Sequence, residues 1–230
     1  MKDFKKALSL IEVLVSKVET LEAFADDAVS EYHTFNEPFE EILYYHQGNP
    51  GKQLRQAQLP YADIYALHGS ILFELKRFDE ARHALEKAMH WNPTNAPIAF
   101  EHAEICKMLG DMDNYVSLTK DIINFAFRPK DLARGYRNLG YYFAEMQLYG
   151  VAASYLHLSL SYEKESNVAQ SGLYYIQSKV GGKPIQPSDE QFRQYASHPL
   201  GASNTVISLA YSYGKLMLDE KEFDKARYFL

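Results

Sequence analysis

The chain has 230 residues, of which 47% are hydrophobic, and carries a formal net charge of −6 with a single Cys. That length holds one or two domains with a sizeable core. The mild acidity argues against non-specific binding to nucleic acid or to an anionic membrane, and the lone Cys excludes an internal disulfide and suits a reducing cytosol.

The N-terminus has no span long and apolar enough to cross a bilayer. Met1–Lys6 followed by Ala7–Val15 has the outline of a secretion signal. Glu12 interrupts its apolar run and no small-residue cleavage site follows, so the expected location is cytoplasmic. Phe4, Ala7, Ile11, Leu14, Val18, Leu21, Ala25, Ala28 and Tyr32 follow a 3-4 alternation over about four heptads. Leu8, Leu10, Val15, Phe24 and Val29 widen the stripe. This predicts a long helix that either packs on the body of the protein or pairs with a second copy as a homodimer, the alternative being a break near Thr20 that splits the stretch into a hairpin.

Asn36 caps a second predicted helix over Glu37–His46, Gly48-Asn49-Pro50-Gly51 is a turn, and a short helix is expected over Gln53–Leu59. Residues 1–60 carry −4 of the net charge and read as an N-terminal helical cap. The paired carboxylates Asp26-Asp27 and Glu40-Glu41 read as solvated surface.

From Ala62 the pattern changes. In residues 62–95 an aromatic stands at position 4 (Tyr65), Gly at 8 (Gly69), Ala at 20 and 27 (Ala81, Ala88) and Pro at 32 (Pro93). Lys76-Arg77-Phe78-Asp79 separates two helical stretches, with Phe78 filling the corner, and Pro93 ends the second. Residues 96–129 continue in register. Ala103 takes the Gly position, and bulky Tyr115 stands at position 20, where it should push the two helices apart or rotate them. Residues 133–166 repeat the pattern with Tyr136, Gly140 and Ala152. Residues 167–200 are a degenerate copy. Its first helix stops at Gly181-Gly182, Lys183–Pro187 is a loop, and a capping box at Ser188–Gln191 opens a short helix. Residues 207–230 hold Gly214, Phe223 and Ala226, and the chain stops at Leu230, within the second helix of that unit. That stop reads as a fragment of a longer protein.

The 34-residue unit resembles the tetratricopeptide (TPR) repeat almost position for position. The resemblance covers residues 61–230. It implies an all-α, right-handed α-solenoid of antiparallel helix pairs, a TPR-like superhelix, behind the helical cap. It further implies a non-catalytic scaffold, bacterial and cytoplasmic, that binds a peptide or partner protein in a concave groove. In that family positions 2, 5, 9 and 12 of the first helices line the groove. Carried over, they give Phe73, Phe100, Glu104, Arg134, Arg137, Tyr141 and Tyr175 as the partner-binding set, with Ala66 and Ser70 where a carboxylate clamp would need Lys and Asn. Aromatic and Arg side chains are the types that most often anchor interfaces. The alternative is a regulatory or partner-recruiting domain of a longer enzyme or of a peptide-sensing transcription regulator.

No catalytic motif is present. His68 and His102 both take position 7, with Cys106 one turn beyond His102, and they read as core residues without a fourth ligand. No metal, cofactor or nucleic-acid partner is expected.

Overall fold

A computed structural model of the chain describes residues 3–20, 26–48, 51–183 and 189–230; of 189–191 it describes the backbone alone. Among these residues the fold is α-helical apart from two short strands. Packing divides the chain into two units, one formed by residues 1–111 with 209–230 and the other by residues 112–208.

The first unit begins with α1 (Phe4–Glu19), capped by the Asp3 carboxylate, which accepts from Lys6 N at 3.0 Å. Leu8, Ile11, Val15 and Val18 form its buried stripe, and α1 lies against α3 (Tyr61–Glu74). The unbroken reading of the N-terminal seam is therefore corrected, and the helix stops at the alternative break near Thr20. The helix ends at Thr20, residues 21–25 lie outside the described set, and Ser30–His33 is a strand, β1. It pairs in parallel with β2 (Gln53–Gln56), so the short helix expected at Gln53 is a strand instead. Both corrections have one cause: local periodicity cannot register a pairing between segments separated by an intervening helix. That helix, α2 (Pro38–Gly48), matches its expected span closely. The predicted turn after it falls on Asn49-Pro50, outside the described residues.

Helix α3 is followed by α4 (Phe78–Trp91) and α5 (Ala96–Met108). The short connection makes α3 and α4 antiparallel. Ala81, Leu85 and Ala88 of α4 meet Tyr65 and Leu72 of α3 in one core cluster. Phe78 meets the edge of Phe73 with ring centroids 5.6 Å apart, filling the corner as expected, and Trp91 stacks on Tyr61 at 4.1 Å.

Glu40 is fully buried, contrary to its reading as solvated surface. Its Oε2 accepts from Asn36 N at 2.8 Å and from Asn92 Nδ2 at 2.8 Å, and its Oε1 accepts from Asn95 Nδ2 at 2.9 Å. Thr94 Oγ1 donates to its main-chain oxygen at 2.8 Å. A buried carboxylate is tolerable only when such donors replace water. The first unit also contains most of α11 (Asn204–Asp219) and all of α12 (Phe223–Phe229), an antiparallel pair. Tyr228 Oη donates to Glu37 Oε2 at 2.7 Å, and Phe229 lies 6.0 Å from Phe39 between centroids.

The second unit is α6 (Met112–Phe125), α7 (Pro129–Glu145), α8 (Tyr149–Tyr162), α9 (Asn167–Lys179) and α10 (Asp189–Tyr195). Its core sits between α7 and α8 around Tyr136, Leu139, Phe143, Ala152 and Tyr155. Tyr115 is buried, and its hydroxyl donates to Asn138 O at 3.3 Å. Of the expected loop and the capping box after it, residues 184–188 lie outside the described residues, and the short helix that the box was expected to open is α10.

Five helices stop alike. The amides of Arg77, Asp111, Leu148, Gly182 and Glu222 donate back to Leu72, Cys106, Phe143, Gln177 and Met217 O at 2.8–3.0 Å. The residue before each donor has positive φ: Lys76, Gly110, Gln147, Gly181 and Lys221. This is a Schellman close, in which backbone alone satisfies the last carbonyls of the helix. It ends α3, α5, α7, α9 and α11 and gives the helix pairs their common corner.

Candidate functional site

Within the second unit, α7, α8 and α9 enclose a cavity of about 350 Å³. Its walls carry three residues of the expected partner-binding set, Arg137 and Tyr141 from α7 and Tyr175 from α9, together with Ala144, Val168 and Ser171 at further groove positions. Helical spacing explains the α7 wall: Arg137, Tyr141 and Ala144 recur at i, i+4 and i+7 and so share one face.

The floor is Leu156 of α8, gripped by two glycines. A Cβ on Gly140 would lie 2.8 Å from Leu156 Cγ, and one on Gly172 would lie 2.9 Å from Leu156 Cδ1. Both helices approach α8 because neither carries a side chain there. Gly140 was legible as position 8 of its repeat. Leu156, Gly172, Ile176 and Glu145 also line the cavity and were not expected. A glycine in the middle of α9 was the available signal for Gly172, since helix interiors disfavour that residue.

The two tyrosine rings remain accessible, Tyr141 at 42% exposure and Tyr175 at 44%. Tyr141 meets Tyr115 edge-on at 6.2 Å, and Lys179 Nζ lies 5.1 Å from the Tyr175 ring centre. Arg137 is oriented by Glu163, whose Oε2 lies 2.5 Å from Nη1, and by Ser159 Oγ at 3.4 Å. The cavity thus offers apolar walls, two aromatic rings and one positioned guanidinium.

The other expected residues lie elsewhere. Phe100 is fully buried at 0% exposure and presents no surface to a ligand, which removes it from the set. The aromatic at position 5 of α5 is core, because it shares the buried side of that helix with Ala96, Ala99, Ala103 and Cys106. Phe73 is half-buried against Phe78, and Glu104 pairs with Lys107, both in the first unit. Arg134 stands half-buried on α7 and is not among the cavity's lining residues.

His68 and His102 are held below the ordinary imidazole range, chiefly by burial. Burial pushes the Cys106 thiol up, which suppresses the nucleophilic thiolate. Among the described residues no three His, Cys, Asp or Glu side chains are placed to hold a metal ion. Among them, too, no helix is long and apolar enough to cross a membrane.

No protein-family model matches the chain, and no curated protein matches it. A solved structure described as "MamA RS-1 ArsTM double mutant" is similar over 78% of this chain and 86% of that chain, at 13% identity and a TM-score of 0.44.

Proposed function

We propose that the chain is a non-catalytic protein-interaction scaffold whose α7–α9 cavity receives a bulky side chain from a peptide or partner-protein segment. The observation that carries this reading is the convergence of Arg137, Tyr141 and Tyr175 on one apolar cavity. Half-exposed aromatic rings over an apolar floor are what an interface anchor inserts against. The cavity walls belong to helices held by their own core, which limits the ordering cost of binding.

The test is selection of peptides from a displayed random library on the whole protein, followed by affinity measurement on Tyr141→Ala and Tyr175→Ala. Each variant is expected to weaken the selected peptide at least tenfold, about 1.4 kcal/mol, with an unchanged helical circular-dichroism spectrum. Peptides that bind both variants with unchanged Kd would remove the cavity from the proposal. Self-association through α1 is a separate proposal, since Leu10, Val13 and Leu14 remain exposed on its outer face. Light scattering on Leu10→Asp/Leu14→Asp decides it, and a wild-type protein that is already monomeric ends it.

A further inference from the structure

Three phenols hold the link that leads from α10 to α11. Tyr155 Oη lies 2.8 Å from His198 Nε2, Tyr136 Oη donates to Pro199 O at 3.2 Å, and Tyr162 Oη donates to Leu200 O at 3.5 Å. Each of three successive residues is gripped by a different tyrosine of the α7–α8 pair. The first of the three, His198, is buried at only 9% exposure.

The geometry fixes the tautomer. His198 Nδ1 lies 2.7 Å from Pro199 O. A carbonyl oxygen only accepts, so Nδ1 carries the hydrogen. In the neutral ring Nε2 then presents a lone pair, and Tyr155 donates its O–H to it. Burial favours that neutral form over the charged one. The rings of Tyr155 and Tyr136 flank it at 5.5 and 6.0 Å from α8 and α7. The charged group that faces it, Lys120 of α6, has the same sign as an imidazolium. Among the described residues no carboxylate pairs with the ring.

We propose that residues 198–200 form an acid-released clasp, in which a proton taken from solvent at His198 Nε2 reverses the Tyr155 hydrogen bond, leaves a buried imidazolium between the Tyr136 and Tyr155 rings with no counter-charge among the described residues, and so frees the α10–α11 link from the α7–α8 pair. The sign follows from the two states. Burial and Lys120 hold the docked imidazole below its ordinary range, whereas in the released link it titrates near 6.5. Docking is therefore strongest above about pH 6.5 and weakens as pH falls below it. Between pH 7.5 and 5.5 the docking equilibrium drops by up to about tenfold. The clasp does not depend on the peptide reading of the α7–α9 cavity.

Hydrogen exchange followed by mass spectrometry tests it on the whole chain. After correction for intrinsic rates, protection of the amides around Ser197–Gly201 is expected to fall by up to about tenfold from pH 7.5 to 5.5, while the α7 and α8 amides keep theirs. His198→Gln retains a donor for Pro199 O and an acceptor for Tyr155 without titrating, and its protection is expected to be independent of pH. Equal wild-type protection at the two pH values, or the same drop in His198→Gln, would overturn the proposal. Where the Gln variant fails to dock at pH 7.5, an NMR titration of the wild-type ring decides instead. A His198 midpoint below about 6.5 supports the clasp, and one at or above it overturns it.

Discussion

Gly140 and Leu156 are fitted to each other: a Cβ on the glycine would lie 2.8 Å from the leucine Cγ and 3.4 Å from Ala152 O. Gly69 bears the same relation to Leu85, at 2.8 Å from Cγ and 3.3 Å from Ala81 O. Gly214 bears it to Leu230, at 2.5 Å. Three helix pairs thus close on one glycine–leucine contact with the same spacing along the chain.

Gly140→Ala is expected to destabilise the second unit by about 1–3 kcal/mol, the usual result of forcing a methyl into a filled site. Urea denaturation measures it. Adding Leu156→Ala to Gly140→Ala should cost less than the two single effects summed, because the collision disappears. Strict additivity would show that the contact is not what the glycine serves.

Glu40→Ala should cost about 3–5 kcal/mol, since it strands the amide donors of Asn92 and Asn95 in a site closed to water. Glu40→Gln should cost about 1–3 kcal/mol, because an NH₂ group then faces donors. Calorimetric melting of the two variants checks both the size and the order.

Acid should weaken the first unit. His33, His68 and His102 are all held below the ordinary imidazole range, chiefly by burial. Unfolded, they bind protons near pH 6.5; folded, they resist until lower pH. Stability is therefore full above about pH 6.5 and declines as pH falls toward the folded values. Trp91 is the sole tryptophan and stacks on Tyr61 in this unit. Its fluorescence should show a lower urea midpoint at pH 5.5 than at 7.5. An unchanged midpoint would contradict the assignment.

Gln147→Gly is expected to stabilise by up to about 1 kcal/mol. Gln147 sits at φ 59°, where a side chain is penalised by about 1–2 kcal/mol. Part of that gain is offset by the greater freedom of glycine in the unfolded chain. A raised melting temperature checks it.

The helix pairs were legible because they rest on small residues at fixed intervals, and Gly69, Ala81, Gly140 and Ala152 announce themselves. The leucine partners did not, since leucine is common and the contact reaches around a corner. The strands were illegible for a different reason. Ser30–His33 continues an apolar alternation that began in a real helix, and only its pairing with Gln53–Gln56 makes it a strand. Glu40 was missed because its partners Asn92 and Asn95 lie far away in sequence. For the cavity, position rules located Arg137, Tyr141 and Tyr175. They failed at Phe100, where the side chain that could face a groove is consumed by the core.

The carboxylate of Glu40 has a consequence for cooperativity. One side chain near the start of the chain completes both the entry to its own helix and the joint between α4 and α5. Opening either part exposes the buried partners of the other to water. Helix α2 and the α4–α5 joint are therefore expected to open together, and a chain trimmed back to residue 61 would leave the amides of Asn92 and Asn95 without their carboxylate.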